Sequence, residues 1–291
     1  MRRSSLLFGS DNHPTEVFAA FLLDVQVPGD DLPSIDAALQ ARFFQRNPDG
    51  SSKERWELDK VQVNCPHERI KQHLAVCGFL NETKPSVKEC PYAAWPGALV
   101  TRAAARLFDL IQAWTDGVQW EQTIVFGGKR PLQSDKESYE ECCKALNVDH
   151  RNEDVQLSWR HINPGTGTPQ TELSMMCWVW HNIPKPRNCM EDGIFVDAPM
   201  KPPVKEGGPP VRPTTEDTVQ EWLRSNPKPG LVLLSSGAPY GMAMDEAFWM
   251  LLEPHGFTVE TFGHAAPDLP IENFMREVAG TVNRILRARK A

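Results

Sequence analysis

A chain of 291 residues with 41% hydrophobic side chains is long enough to bury one large core or two small ones, and it is too apolar to be disordered throughout. Lys and Arg number 31 against 38 Asp and Glu, a formal charge of −7, which excludes the basic surface that nonspecific nucleic-acid binding requires. No apolar run approaches the ~18 residues of a membrane span, so neither nucleic acid nor a membrane is expected as a partner.

At the start, Arg2 and Arg3 precede a short apolar patch, but Asp11, Asn12 and His13 interrupt it before a signal-peptide core develops. The seven cysteines, at 65, 77, 90, 142, 143, 177 and 189, lack the spacing of a secreted disulfide framework. Reduced thiols and a cytoplasmic location are expected. Apolar stretches lie at 17–25, 35–44 and 56–63, and a helical pattern introduced by Pro66 runs over 66–80. Val61 and Val63 alternate with polar neighbours as in a half-buried strand. Pro85, Pro91 and Pro96 then punctuate the chain, and a long helix runs from Pro96 through Leu99, Ala103, Arg106, Leu107 and Leu110 to a stop at Gly117.

The run Thr123-Ile124-Val125-Phe126 reads as a strand entering a glycine turn at Gly127-Gly128. Helix is then expected near 135–146, strand near 155–159, helix near 170–182, and strand at Ile194-Phe195-Val196. The segment 198–213 holds six prolines and two glycines and is expected to be a loop. A helix near 216–225, the apolar run Leu231 to Leu234, a helix near 242–253, a strand from Phe257 to Phe262 and an amphipathic helix from Pro270 complete the chain. Apolar strands alternating with helices predict an α/β fold, a three-layer α/β/α sandwich around a mostly parallel sheet. Residues 1–92 are expected as a helical or irregular extension packed on a domain spanning 93–291.

Ligands of open parallel sheets sit beyond the carboxyl ends of the strands. After Phe126 stand Gly127, Gly128, Lys129 and Arg130, where glycines admit a ligand to the backbone and two cations suit a phosphate or carboxylate. The plain alternative is a turn with solvated charges. After Leu234 come Ser235, Ser236 and the glycine-containing run to Tyr240, then a helix carrying Asp245 and Glu246. Hydroxyls and helix amides there suit an anion, although a capped turn would look the same. Thr214 or Thr215 can cap the helix that carries Asp217 and Thr218, and capping alone would explain those acidic residues.

Gly127-Gly128, Thr171-Glu172, Asp217-Thr218 and the stretch from Leu234 to Tyr240, in this order, resemble the bacterial YdcF/SanA/ElyC-type domain over residues 97–262. The resemblance implies a Rossmann-like fold with a polar pocket at the strand ends, and nucleotide-type ligands such as S-adenosylmethionine. The chain departs from that pattern at Tyr240 and Asp245, where the family typically has a His and a following Arg, and carries an insertion over 132–167.

The remaining motifs favour burial. His73 and Cys77 share a helical face and could contribute to a metal site, but Cys77 with Ile70 and Leu74 simply continues an apolar stripe. Cys142 and Cys143 diverge by about 100° on a helix, so no joint site is expected. Met175, Met176, Trp178, Val179 and Trp180 read as core. No Walker loop, nucleophile elbow or His-Glu-x-x-His is present.

These readings lead to a small-molecule-binding domain, for a nucleotide or phosphorylated metabolite, with enzymatic activity as an extension. Lys129 and Arg130 would hold the anion, Thr218, Ser235 and Ser236 would donate hydrogen bonds, and Glu172 would be the general acid or base, with Asp217 or Asp245 next. No cofactor is named by the residues themselves. The competing reading is a noncatalytic interaction domain on a degenerate enzyme fold, using the proline-rich segment. A methyltransferase-like enzyme using S-adenosylmethionine ranks third.

Overall fold

Two prolines that argue against a strand, Pro91 and Pro96, lie within the central strand of the sheet. Glu89–Pro96 forms β1, buried on both faces from Tyr92 onward. Pro91 lacks an N–H, yet it removes nothing from the β1–β4 ladder, which begins only at Tyr92 opposite Val232. Beside Pro91 stands Gly230, where any Cβ would lie 2.6 Å from the proline ring. Pro96, expected from the sequence to start the long helix, is instead the last residue of the strand, where the ladder ends, and the helix begins only at Val100.

The structure is a computed structural model that describes residues 3–47, 53–54, 57–161, 169–186, 193–203 and 207–290. The remaining strands are β2 (Gln119–Gly128), β3 (Gly193–Ala198), β4 (Leu231–Ser235) and β5 (Thr258–Phe262). All pair in parallel, in the order β3-β2-β1-β4-β5. Ten α-helices occur among the described residues. The fold is thus α/β and Rossmann-like, as expected. No helix among the described residues is long and apolar enough to cross a membrane.

The chain divides into two compact units that interleave along the sequence. The sheet unit comprises Lys84–Ser236 and Leu251–Phe262, and the helical unit comprises Met1–Thr83, Gly237–Met250 and Gly263–Ala291. The sequence suggested one cut near residue 92; in the structure the C-terminal helix belongs to the same unit as the N-terminal residues.

In the sheet unit, α4 (Val100–Thr115) and α7 (Glu172–Asn182) cover one face, and α8 (Thr215–Leu223) lies on β2 and β3. Strand alternation proves that the faces are opposite. A Cβ on Gly127 would meet Leu173 of α7, whereas one on Gly128 would meet Pro213, just before α8. Trp95 stacks on Trp180 and donates its indole N–H to the Ala103 carbonyl on the first face, while Trp222 of α8 meets Phe126 and Tyr92 edge-on. The Met175–Trp180 stripe is core, as expected. Gly117, with φ of +91°, closes α4 at the position read from the sequence.

Three local expectations are corrected. Residues 155–159 are not a strand but part of α6 (Glu153–His161), which follows α5 (Tyr139–Leu146). Asn152 accepts the Asp154 amide at its start, and acidic residues fill its first turn, so capping and dipole outweigh the alternation. Val61 and Val63 belong to no strand; they pack against the helical core from irregular backbone. Gly127 and Gly128 are not a turn but the last two residues of β2, paired with Asp197 and Ala198. Ala198 still belongs to β3, and the described part of 199–213 is irregular, as expected, and folds back on itself through a Lys201–Val211 bridge. Residues 204–206 and Cys189 lie outside the described residues.

The helical unit contains α1 (Glu16–Asp24), α2 (Leu32–Phe43), α3 (His67–Val76), most of α9 (Gly241–Leu252), and α10 (Ile271–Lys290). Thr15 caps α1, and Asp31 with Ser34 forms a capping box on α2. Phe18, Phe21, Ile35, Leu39, Ile70 and Leu74 share one core with Phe274, Met275 and Val278 of α10. Gln40 donates to the Ala279 carbonyl, tying α2 to α10.

Candidate functional site

In a sheet ordered β3-β2-β1-β4-β5, the connections from β1 run outward in one direction through β2 and β3, then return to β4 on the other side. The switch point is therefore the crevice beyond the carboxyl ends of β1 and β4. Gly97 follows β1 there, and Ser235 and Ser236 end and follow β4.

Arg106 ties these two ends together. It lies in the second turn of α4, and because helical side chains lean toward the N-terminus, its guanidinium returns to the strand end. Nη1 donates to the carbonyls of Pro96 and Gly97, both at 3.0 Å, and Nη2 to Ser236 Oγ at 3.2 Å. Ser235 Oγ donates back to the Arg106 carbonyl at 2.8 Å. Both serines are buried. The N-cap residue of α4 is Leu99, whose side chain makes no capping hydrogen bond; the Arg102 and Ala103 amides donate to its carbonyl.

Glu172 reaches the same place from α7. Thr171 caps that helix in a capping box with Ser174, making Glu172 its first residue. Thr171 bridges Pro131 in antiparallel fashion, and the Glu172 amide donates to the Arg130 carbonyl at 2.9 Å. This pairing brings the Arg130 side chain alongside Glu172, with Nη2 3.3 Å from Oε1. The Glu172 carboxyl also presses on Gly97: a Cβ there would lie 2.7–2.9 Å from its carbon and oxygens.

Arg130 is itself buried and held more firmly elsewhere. Its two terminal nitrogens donate in parallel to Glu137, each at 2.8 Å, and Nη1 also reaches the Pro131 carbonyl. The Glu137 side chain is 0% exposed, and its Oε2 accepts the Gln133 amide at 2.9 Å. Burial opposes the Arg130 charge, but Glu137 and Glu172 overcome it and hold the guanidinium protonated. Burial pushes the Glu172 carboxyl above its ordinary value, and the nearby Glu137 charge adds to that; Arg130 and Arg106 pull it down without cancelling the rise.

Of the residues singled out from sequence, the structure gathers Arg130, Glu172, Ser235 and Ser236 around Gly97 and Arg106. Gly127 and Gly128 serve close packing, against Leu173 and Pro213. Lys129, 56% exposed, stands 3.7 Å from Asp197. Asp217 completes the Thr214 capping box and pairs with Lys201 at 2.7 Å; burial works against its charge, but Lys201 and Thr214 hold its carboxyl below the ordinary range. Thr218 donates within its own helix to the Thr215 carbonyl. Tyr240 and Asp245 belong to the helical unit, where Asp245 is buried on α9.

Sequence reasoning missed Gly97, Arg106 and Glu137. Arg106 left a signal, a cation among Ala103, Leu107 and Leu110 on an apolar face, whereas nothing marks Glu137 locally. Among the described cysteines, burial pushes Cys77 up to about 12 and Cys90 and Cys177 up to about 11, away from the thiolate form. His73 bonds Asp24 at 2.8 Å, and among the described residues no group of three or more His, Cys, Asp or Glu could hold a metal ion.

The close approaches at the strand ends predict a contrast between glycines. Gly127→Ala would put its Cβ 2.9 Å from the Leu173 Cα, so α7 must shift, and a loss of about 1–3 kcal/mol is expected. Gly280→Ala, in α10, meets only Arg284 Nη1 at 3.7 Å and should gain about 0.5–1 kcal/mol. Urea denaturation of the two variants checks the pair. Compared with known proteins, the chain matches no family model, no curated protein and no solved structure.

Proposed function

We propose that this α/β protein binds an anionic small molecule, a nucleotide or phosphorylated metabolite, beyond the carboxyl ends of β1 and β4, and acts on it with Glu172 as general acid or base. The observation that carries the reading is the Glu172 carboxyl, buried against Gly97 at the switch point with its proton affinity raised. A buried carboxyl of raised proton affinity is better suited to hold and pass on a proton than a solvated one. Arg106, Arg130 and the start of α4 favour negative charge in the crevice. Ser236 and Arg106 would orient the ligand. The resemblance to the YdcF/SanA/ElyC-type domain points to the same strand ends through Gly127-Gly128, Thr171-Glu172 and Leu234 to Ser236, and S-adenosylmethionine belongs among the compounds to test.

A thermal-shift screen of nucleotides, sugar phosphates and S-adenosylmethionine tests the reading. A compound present at 100 times its Kd should stabilise the protein by about 2.7 kcal/mol. Gly97→Ala, whose Cβ displaces the Glu172 carboxyl, should abolish that shift while leaving the protein folded. A folded wild type that no such compound stabilises, or a Gly97→Ala variant with an undiminished shift, overturns the assignment. In the first case the proline-rich segment 198–213 and a protein partner become the leading reading.

A further inference from the structure

The contacts of Arg130 are unequal. Toward Glu137 it makes two parallel hydrogen bonds of 2.8 Å, the fork-to-fork arrangement that fixes a guanidinium in plane and direction. Toward Glu172 it offers one longer contact of 3.3 Å. Glu137 is anchored in turn: its amide donates to the Gln133 carbonyl at 2.7 Å, and the Gln133 amide donates to its Oε2. Fully buried, it cannot exchange Arg130 for water.

We propose that Glu137 is the positioning residue of this site: by clamping Arg130 at two points it restricts Arg130 to a single contact with Glu172, and so sets how readily the Glu172 carboxyl takes up and releases a proton. The inference rests on the reading of Glu172 as the proton-carrying group. Glu137 touches no reacting atom in this arrangement and acts through Arg130, with its own nearby charge working in the same direction. The charged groups facing Glu172 are Arg130 and Glu137, which precede α5, and Arg106 from α4. If both guanidinium arms turned to Glu172, its carboxylate form would be strongly favoured and the group would be a poor acid. With the arms committed to Glu137, and the Glu137 charge nearby, the carboxylate form of Glu172 is less favoured. The general consequence is that an arginine between two carboxylates can strengthen one as an anion and spare the other as an acid.

Direct titration tests the assignment. Carboxyl resonances of 13C-labelled glutamate are followed against pH in the ligand-free full chain, with Glu172 assigned by its loss in Glu172→Gln. In Glu137→Gln, which removes the charge and one acceptor, the Glu172 midpoint should move down. Glu137→Asp keeps the charge but is too short for both contacts, and a smaller downward movement is expected; it supplies the readout if Glu137→Gln does not fold. An unchanged or raised midpoint in a folded variant overturns the positioning role. The titration uses no ligand, so its outcome is separable from the screen above. A compound can bind at Gly97 while Glu137 proves inert, and the Glu172 midpoint can respond to Glu137 even where no compound binds.

Discussion

Arg130→Met should destabilise the protein by about 3–5 kcal/mol, the cost of leaving buried carboxylates without their cation. The arginine bridges Glu137, whose side chain is 0% exposed, and Glu172, whose side chain is 15% exposed, so neither carboxylate can recover full hydration when it is removed. Methionine nearly preserves volume, which keeps cavity formation out of the comparison. The loss should shrink as pH falls, because the Glu172 carboxyl, already pushed up by burial, takes up a proton more readily once its cation is gone. Urea denaturation at neutral and mildly acidic pH measures both effects, and a loss below about 1 kcal/mol would place Arg130 among ordinary surface pairs.

Glu172→Gln should act on function and stability in opposite directions. On the proposed ligand, removing the general acid or base should lower turnover by about 10²–10⁴-fold. The folded state should nevertheless become more stable near neutral pH. The Glu172 carboxyl titrates above its ordinary 4.5 in the folded chain because burial disfavours its charge. A raised folded-state pKa contributes stability that is present below the unfolded pKa and lost as pH rises through the folded one. Glutamine has no such loss and still offers an oxygen to Arg130. The Tm of the variant should therefore exceed that of the wild type, by a margin that grows as pH rises above the ordinary carboxyl range. Parallel Tm profiles would show that Glu172 is not strained by burial, and unchanged turnover would remove it from the chemistry.

The two variants separate roles that distance alone does not. Arg130 stabilises the fold because it neutralises what lies around it, whereas Glu172 costs the fold something at the pH where it would work. Buried groups that lower stability are common where a site must hold a proton for chemistry.

Much of the architecture was legible in residue order. Runs such as Leu231 to Leu234 are apolar on both faces and alternate with amphipathic segments, and that pattern admits few folds other than a covered parallel sheet. Helix ends were equally local: Gly117 stops α4 with a left-handed residue, and Thr171 and Thr214 announce α7 and α8. Glu172 was singled out through the Thr171-Glu172 pair of the family resemblance, at a helix start that Thr171 caps.

Other features depended on partners distant in sequence. Pro91 obscured β1 because its tolerance comes from where the β4 ladder begins, a fact of register. Gly127 and Gly128 read as a turn because their small size matched one. In the structure that size is required by Leu173 on one face and Pro213 on the other.

What the sequence by itself determined is the periodicity of burial and the local chemistry of caps, and with them the class of fold. Only the tertiary structure decided what the charges do. Lys129 and Arg130 are adjacent in the chain, yet one is largely exposed beside Asp197 and the other is clamped between Glu137 and Glu172. Arg106 lies on a helix and serves two strand ends, one of them reached 130 residues later. The physical reason is that backbone propensity acts over a few neighbours, whereas the fate of a charge depends on burial and on partners that only folding brings within a few ångströms.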